Sequence, residues 1–219
     1  MRTTDTYREI VDFLADPSHI EHAFDLLEVM PRALDRLHVQ FWERFKDAVE
    51  TQLKAGGIDN WTASFAGEPA DAIKDRWFTL ELLPASVTES SLYLYFGFEQ
   101  DYRGATSKTA SLNGSAELKY GFLFSKPIDD RKKKTLPKEA KELCDKVPDE
   151  WILYKDQLAD SGWIALKKIG HDLRARPEMV ELSKGSALED EVAATFLKLF
   201  HEKRDKVEKA NKALRKLAS

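Results

Sequence analysis

The chain has 219 residues, 42% of them hydrophobic and 33% charged, with a formal net charge of −4. That length supports a sizeable core, and the balance excludes a disordered chain, a surface that is basic throughout and a membrane-spanning helix, since no run approaches 18 apolar residues. Cys144 is the only cysteine, so no intrachain disulfide forms, and the opening Met-Arg-Thr-Thr-Asp lacks the apolar core of a signal peptide. A reducing cytoplasm is the expected location.

The first quarter reads as helix. Tyr7, Ile10, Val11 and Leu14 recur at helical spacing and end at Asp16-Pro17. Ser18 and Glu21 have capping-box spacing for a second helix carrying Ile20, Phe24 and Leu27. Met30-Pro31 is expected to break that helix, with Pro31 as the first residue of a third. Leu34, Leu37, Phe41, Trp42, Phe45, Val49 and Leu53 then form one apolar stripe, closed by Gly56-Gly57.

The middle reads as sheet. Trp61, Ala63 and Phe65 alternate with polar residues, and so do Phe78, Leu80 and Leu82 between Arg76 and Leu83. The clearest alternation runs from Ser91 to Glu99. Leu92, Leu94, Phe96 and Phe98 share one face, and Tyr93, Tyr95, Gly97 and Glu99 the other. A polar Gly/Ser/Thr-rich loop at 102–114 precedes a strand from Ala116 to about Ser125, with Leu118, Tyr120, Phe122 and Phe124 on one side. No helical pattern separates these strands, which predicts an antiparallel meander.

The last third is mixed. Residues 129–134, Asp-Asp-Arg-Lys-Lys-Lys, read as a solvated turn, and Pro137 opens a short helix holding Ala140, Leu143 and Cys144. Trp151–Tyr154 and Trp163–Leu166 are short strands of a hairpin around Asp160-Ser161-Gly162, and a short helix near Pro177–Leu182 stops at Gly185. Ser186 and Glu189 form a second capping box, after which the pattern is helical to the end. Leu188, Val192, Phe196, Leu199 and Phe200 are its buried half. Beyond His201 the apolar positions thin to Val207, Ala210, Leu214 and Leu217, a coiled-coil-like spacing expected either to project as a charged arm or to pack on a partner helix. One α+β domain follows, with helices packed on an antiparallel sheet of four to six strands: a helical part at 1–57, a meander at 58–126, a mixed part at 127–185 and a long charged helix at 186–219.

Three constellations are candidates for chemistry or binding. Asp101 with Glu117-Leu118-Lys119 has the acid and Glu-x-Lys pattern of a metal nuclease. Period two puts Glu117 and Lys119 on one face, where carboxylates hold magnesium and the lysine acts on water. The simpler reading is that Glu117, Lys119 and Gly121 are the outward face of an amphipathic strand in a charge-rich chain that lacks a proline-aspartate before Asp101. Tyr93 and Tyr95, beside Trp77 and Lys119, would form a stacking platform for unpaired bases if that face is open, and ordinary packing if it is covered. Finally, residues 201–219 hold Lys203, Arg204, Lys206, Lys209, Lys212, Arg215 and Lys216 against three acids, a charge of +4 that leaves −8 on the first 200 residues. This element suits an anionic partner, as Arg131–Lys134 does more weakly beside Asp129 and Asp130. His19 and His22 lack further ligands in sequence, and His38, His201 and His171 are placed on two helices and a turn, so no metal site is assigned. Cys144 reads as a buried inert thiol.

The helix Leu37-His-Val-Gln-Phe41-Trp42-Glu-Arg-Phe45, the Trp61 strand and the paired strands with Leu92-Tyr-Leu-Tyr-Phe-Gly97-Phe98 resemble the region downstream of the nuclease core in PD-(D/E)XK superfamily proteins of bacterial defence type. The resemblance covers about residues 30–215. Because the nuclease core lies upstream of such a region, it implies an accessory or target-engaging module and carries over no catalytic residue. The expected function is therefore non-enzymatic binding of nucleic acid or a partner protein, without a cofactor, in a nuclease or phage-defence context. The alternatives are a magnesium-dependent nuclease using Asp101, Glu117 and Lys119, and a complex-building protein that forms a homo-oligomer through its C-terminal helix.

Overall fold

In the computed structural model, which describes residues 4–87, 91–103, 114–145, 151–153 and 162–218, the alternating segments form a single antiparallel sheet. Its strands are β1 (Trp61–Phe65), β2 (Thr79–Pro84), β3 (Leu94–Arg103), β4 (Ser115–Phe124), β5 (Ile152–Leu153) and β6 (Trp163–Asp172), in the order β1-β2-β3-β4-β6-β5. The helices are α1 (Thr4–Ala15), α2 (Ile20–Ala55), α3 (Asp130–Thr135), α4 (Lys138–Asp145), α5 (Arg176–Lys184) and α6 (Ala187–Ala218), with a 3₁₀ turn at Pro69–Ile73. This is the expected α+β architecture. The turn of the β5–β6 hairpin at Asp160-Ser161, Tyr154 and most of the 102–114 loop lie outside the described residues.

The inward residues of β1 to β4 face α2 and α6, and burial fills that interface with aromatic rings. Phe41, Trp42 and Phe45 of α2, Phe96 and Phe98 of β3, and Phe196 and Phe200 of α6 are all fully buried. Phe45 stacks tilted against Phe98 at 4.3 Å between centroids, and Trp42 meets Phe78 edge-on at 5.0 Å. Such edge and tilted pairs fix orientation as well as burying area. Gly121 is dictated by the β4–β6 crossing, where a Cβ would stand 2.0 Å from the Ala165 carbonyl oxygen.

A buried polar knot sets α2 on this sheet. Gln100, fully buried on β3, accepts at Oε1 from His38 Nε2 (2.7 Å) and Trp42 Nε1 (3.0 Å) of α2. Its Nε2 donates to the carbonyls of Ala72 (2.6 Å) and Asp75 (3.1 Å) around the 3₁₀ turn. Every hydrogen-bonding site of the amide is used. Since Gln100 Oε1 can only accept, His38 must carry its proton on Nε2. Burial, then the nearby Arg174 guanidinium, pushes the His38 pKa down to about 3. Arg174, from the end of β6, is itself nearly fully buried, pairs with Asp35 of α2 and donates to the Tyr102 hydroxyl at 3.2 Å.

Several expectations are corrected. Pro31 does not break the chain into two helices: α2 runs unbroken from Ile20 to Ala55. The bond that Pro31 cannot make would go to the Leu27 carbonyl, and Leu27 is 61% exposed, so water can take that oxygen. The Ser18/Glu21 capping box does not form. His19 is the N-cap, no side chain caps it, and Ser18 donates its N–H to Asp16 Oδ1 at 2.8 Å. The Ser186/Glu189 box does not form either: Glu189 turns inward, fully buried, to Arg44 of α2 at 3.4 Å. Residues 130–135 are the helix α3 rather than a turn, because Asp129 caps it by accepting from Lys132 N at 2.7 Å. The strand expected to begin at Arg76 begins at Thr79, β3 runs from Leu94 on to Arg103, and β6 on to Asp172, which places His171 on a strand.

The largest correction concerns the end of the chain. The second half of α6 neither projects nor offers a free seam. Val207 and Ala210 are fully buried and Leu214 nearly so, all within the main core. Asn211 accepts from Leu94 N at 2.7 Å and donates to Leu94 O at 2.9 Å. Continuing the β2–β3 register puts Pro84, which has no N–H, opposite Leu94, so the Asn211 amide supplies what the strand cannot. Glu208 accepts from Trp61 Nε1 at 3.0 Å and from Asn60 Nδ2 at 3.1 Å. Among the described residues of this stripe, Val207, Ala210 and Leu214 leave no exposed apolar surface for a homo-oligomer seam.

His38 stays neutral in the folded protein, while its unfolded pKa lies near 6.5. The stability it contributes is present above that value and is lost as pH falls towards about 3. Between about pH 6.5 and pH 5 this one group should remove about 1.6 kcal/mol. An imidazole NMR titration checks it: the His38 ring should not titrate above about pH 4, and a midpoint near 6 would contradict the knot.

Candidate functional site

The outward face of the sheet gathers the nuclease candidates. Asp101 and Glu117 stand opposite each other across β3 and β4, as do Glu99 and Lys119. Each charge has a partner. Asp101 accepts from Arg76 Nε and Arg103 Nη2, both at 2.8 Å, and these guanidinium groups hold its carboxyl down to about 2 against the upward push of its burial. Lys119 Nζ lies 2.7 Å from Glu99 Oε1, and Glu117 pairs with Lys168 of β6 at 2.5 Å. The lysine that would act on water is thus committed to Glu99, and both carboxylates are neutralised by cations. Among the described residues no three His, Cys, Asp or Glu side chains gather as a metal-ligand group. What this lattice does is tie β3, β4 and β6, and Arg76 just ahead of β2, together by charge.

The stacking platform is half dismantled. Tyr95 is only 8% exposed and hydrogen-bonds to Glu81, and its hydroxyl is pushed well above the ordinary range by burial and then by that carboxylate. Its ring packs with Leu123, Trp163 and Leu166, and half-buried Tyr93 leans on it at 5.9 Å. Gly97 makes room for that cluster, since a Cβ there would sit 3.0 Å from the Trp163 indole. Tyr93 and Tyr95 are therefore packing residues rather than an open base-stacking pair. Trp77 does stay open at 46% exposure, with Lys119 Nζ 4.0 Å and the Arg76 guanidinium 4.3 Å from its ring. The expected meeting of Trp77 and Lys119 occurs, with an attraction of about 1 kcal/mol at such an exposed site.

The basic segments come together elsewhere. The helix α4 packs along α6, and the fold thereby lays residues 131–145 beside the second half of α6. The first segment carries Arg131, Lys132, Lys133, Lys134, Lys138 and Lys141 against Glu139, Glu142 and Asp145. A cleft of about 220 Å³ between the two helices is lined by Lys203, Lys206 and Lys209 of α6, Glu139, Glu142 and Leu143 of α4, and Phe122 and Trp151 of the sheet. A second hollow brings Lys132 of α3 to Arg215 of α6, over Leu136 and Leu214. Lys206, Lys209 and Lys212 are exposed on the outer side of α6, and Lys203 and Arg204 are half-buried. Arg215 and Lys216 continue the exposed row. The amphipathic pattern explains this placement: Val207, Ala210 and Leu214 turn into the core, so the interleaved cations must face out.

The sequence places Trp151 on a short strand, and its place in the cleft has no local signal. It is half-buried, meets Tyr120 edge-on at 5.8 Å, and lines the cleft with the lysines from its place just ahead of the edge strand β5. Arg174 and Gln100 likewise carry no local signal, since their partners are distant in sequence. Cys144 is buried, with its thiol pushed up to about 11 by desolvation. His19 stacks on Phe13, and His22 faces Asp25 at 4.0 Å.

Compared with known proteins, the chain matches no family model, no curated protein and no solved structure. No helix among the described residues is long and apolar enough to cross a membrane.

The charge lattice of the outward face should behave as structure. Asp101→Asn should lower stability by about 1 kcal/mol at neutral pH, because two half-exposed arginines lose their shared carboxylate. Glu117→Gln, in an exposed pair, should cost less than about 0.5 kcal/mol. The Asp101 contribution is present above about pH 4 and disappears as pH falls towards 2. Denaturant midpoints at neutral and acidic pH check both variants.

Proposed function

We propose that this protein is a non-catalytic binding module that holds nucleic acid on the basic face formed by α3, α4 and the second half of α6. The observation that carries this is the convergence of two basic segments, far apart in sequence, around a cleft floored by Trp151, Phe122 and Leu143. Lysines in a row give phosphate attraction without base specificity. An aromatic floor beside them adds a surface on which an unpaired base can stack, which favours single strands over duplex. The acids in and near the cleft, Glu139 and Glu142, limit the field and make the contact moderate rather than tight.

The resemblance to the region downstream of a PD-(D/E)XK core agrees with such a role, as a target-engaging accessory to a nuclease in defence, working in the cytoplasm. The ion pairing of Asp101, Glu117 and Lys119 favours binding over cleavage by this chain.

Fluorescence anisotropy with a labelled single-stranded oligonucleotide tests it. Binding should weaken with salt, with a slope corresponding to about three to five phosphates. Lys206→Glu with Lys209→Glu should weaken binding about tenfold or more and lower the slope by ~1.5. Both residues are exposed, so the variant should keep its unfolding midpoint within about 0.5 kcal/mol. No binding at about 50 mM salt, or equal binding by the variant, would overturn the proposal and leave a protein partner as the occupant of this face.

A further inference from the structure

The end of the molecule opposite the basic face has a different character. Arg44 of α2 meets Gly185 and Glu189 at the start of α6, whereas Trp61, beyond the end of α2, meets Phe200 and Glu208. The two long helices therefore run in the same direction, and the first half of α2 extends past the start of α6. Between residues 8 and 33 no residue is buried, and only Leu14, His19, Ala23 and Pro31 are half-buried. Nine of the eleven large apolar side chains exposed on the described surface fall here, from Ile10 to Met30, at 36–66% exposure.

This arm is an ordered hairpin. α1 packs on α2, Asp16 accepts from Ser18 N at 2.8 Å, and His19 Nδ1 donates to the Phe13 carbonyl at 3.1 Å while its ring stacks on Phe13 at 3.9 Å. Two helices alone cannot cover one another. Ile20, Phe24 and Leu27 lie along one stripe of α2, Leu26 and Val29 lie off it, and all five face solvent. The exposed apolar residues of the arm, counted over its several sides, sum to on the order of 900 Å², close to what one partner buries in a stable interface.

We propose that residues 4–33 are a dimerisation arm, which pairs with the same arm of a second copy to make a four-helix bundle. A second hairpin is the smallest addition that covers stripes on several sides of this one. The charge of the arm argues against a membrane. Residues 4–33 carry seven acids against Arg8 and Arg32, so an anionic lipid surface would repel them. Charge also gives the dimer a signature: two acidic arms repel across the bundle, so salt should strengthen self-association, whereas a cationic helix bound to the arm would be released by salt.

Sedimentation equilibrium of the full chain over ~1–100 µM, in about 50 mM and about 500 mM salt, tests this. A dimer mass is expected, with a dissociation constant that tightens as salt rises. Phe24→Glu with Leu27→Glu should raise that constant by about a hundredfold or more. Both side chains are exposed in the protomer, so circular dichroism should show the variant folded. Lys206→Glu with Lys209→Glu should leave the dimer intact, which separates this proposal from the one on nucleic acid. A protomer mass at the highest concentration and salt would overturn the arm dimer, as would association that salt weakens or that the Phe24/Leu27 variant keeps.

Discussion

The placement of α2 rests on one side chain. Gln100 projects from β3 into an aromatic interior, where an unpaired amide would cost several kcal/mol, and all four of its hydrogen-bonding positions are filled from outside its own strand. Apolar contacts between Phe45, Phe98 and Phe196 supply most of the burial, but such contacts tolerate sliding. The amide does not, because a shift of α2 by one residue removes both the His38 and the Trp42 bond. Arg174 repeats the constraint from β6 through Asp35 and Tyr102. With α2 fixed at residues 35–42, the direction of its free first half is fixed as well.

That geometry makes the molecule two-ended. The aromatic core is shared by α2 and α6, which run the same way but are offset along their length. The offset leaves an acidic, apolar hairpin beyond one end of the sheet, and a row of lysines beside α4 at the other. The positive end has its apolar residues turned inwards, so it suits a solvated anionic partner. The negative end has its apolar residues outwards, so it suits burial against a protein surface. If the arms pair, two basic faces are carried at the far ends of one particle, and a long polyanion could engage both with a gain in avidity.

What was legible in the sequence follows from the range of the interactions involved. Alternation at Leu92–Phe98 and Leu118–Phe124 reports a strand face directly, because neighbours two apart share an environment whatever lies above them. The stripe from Leu34 to Leu53 is as direct. The failures came where a local rule was overruled by what lay nearby in space. Pro31 breaks helices whose carbonyls have no other partner, but here Leu27, which carries the carbonyl concerned, is an exposed residue within reach of water. Val207, Ala210 and Leu214 have the spacing of a coiled-coil seam, and that is also the spacing needed to lie on the sheet. Glu189 sits where a capping glutamate would, yet Arg44, 145 residues away, draws it inwards. For the candidate sites, composition revealed the basic segments and not their meeting. Period two puts Glu117 and Lys119 on one outward face, but only the strand register shows that each belongs to a separate cross-strand ion pair, with Lys168 and with Glu99.

Amide hydrogen exchange of a Gln100→Leu variant, compared with the unaltered chain, tests the central constraint most directly. If the amide pins α2, protection should fall across residues 36–53 and in the 3₁₀ turn at 69–73, while β4 and β6 keep theirs. Undiminished protection in α2, with Gln100 replaced and the sheet intact, would contradict the account.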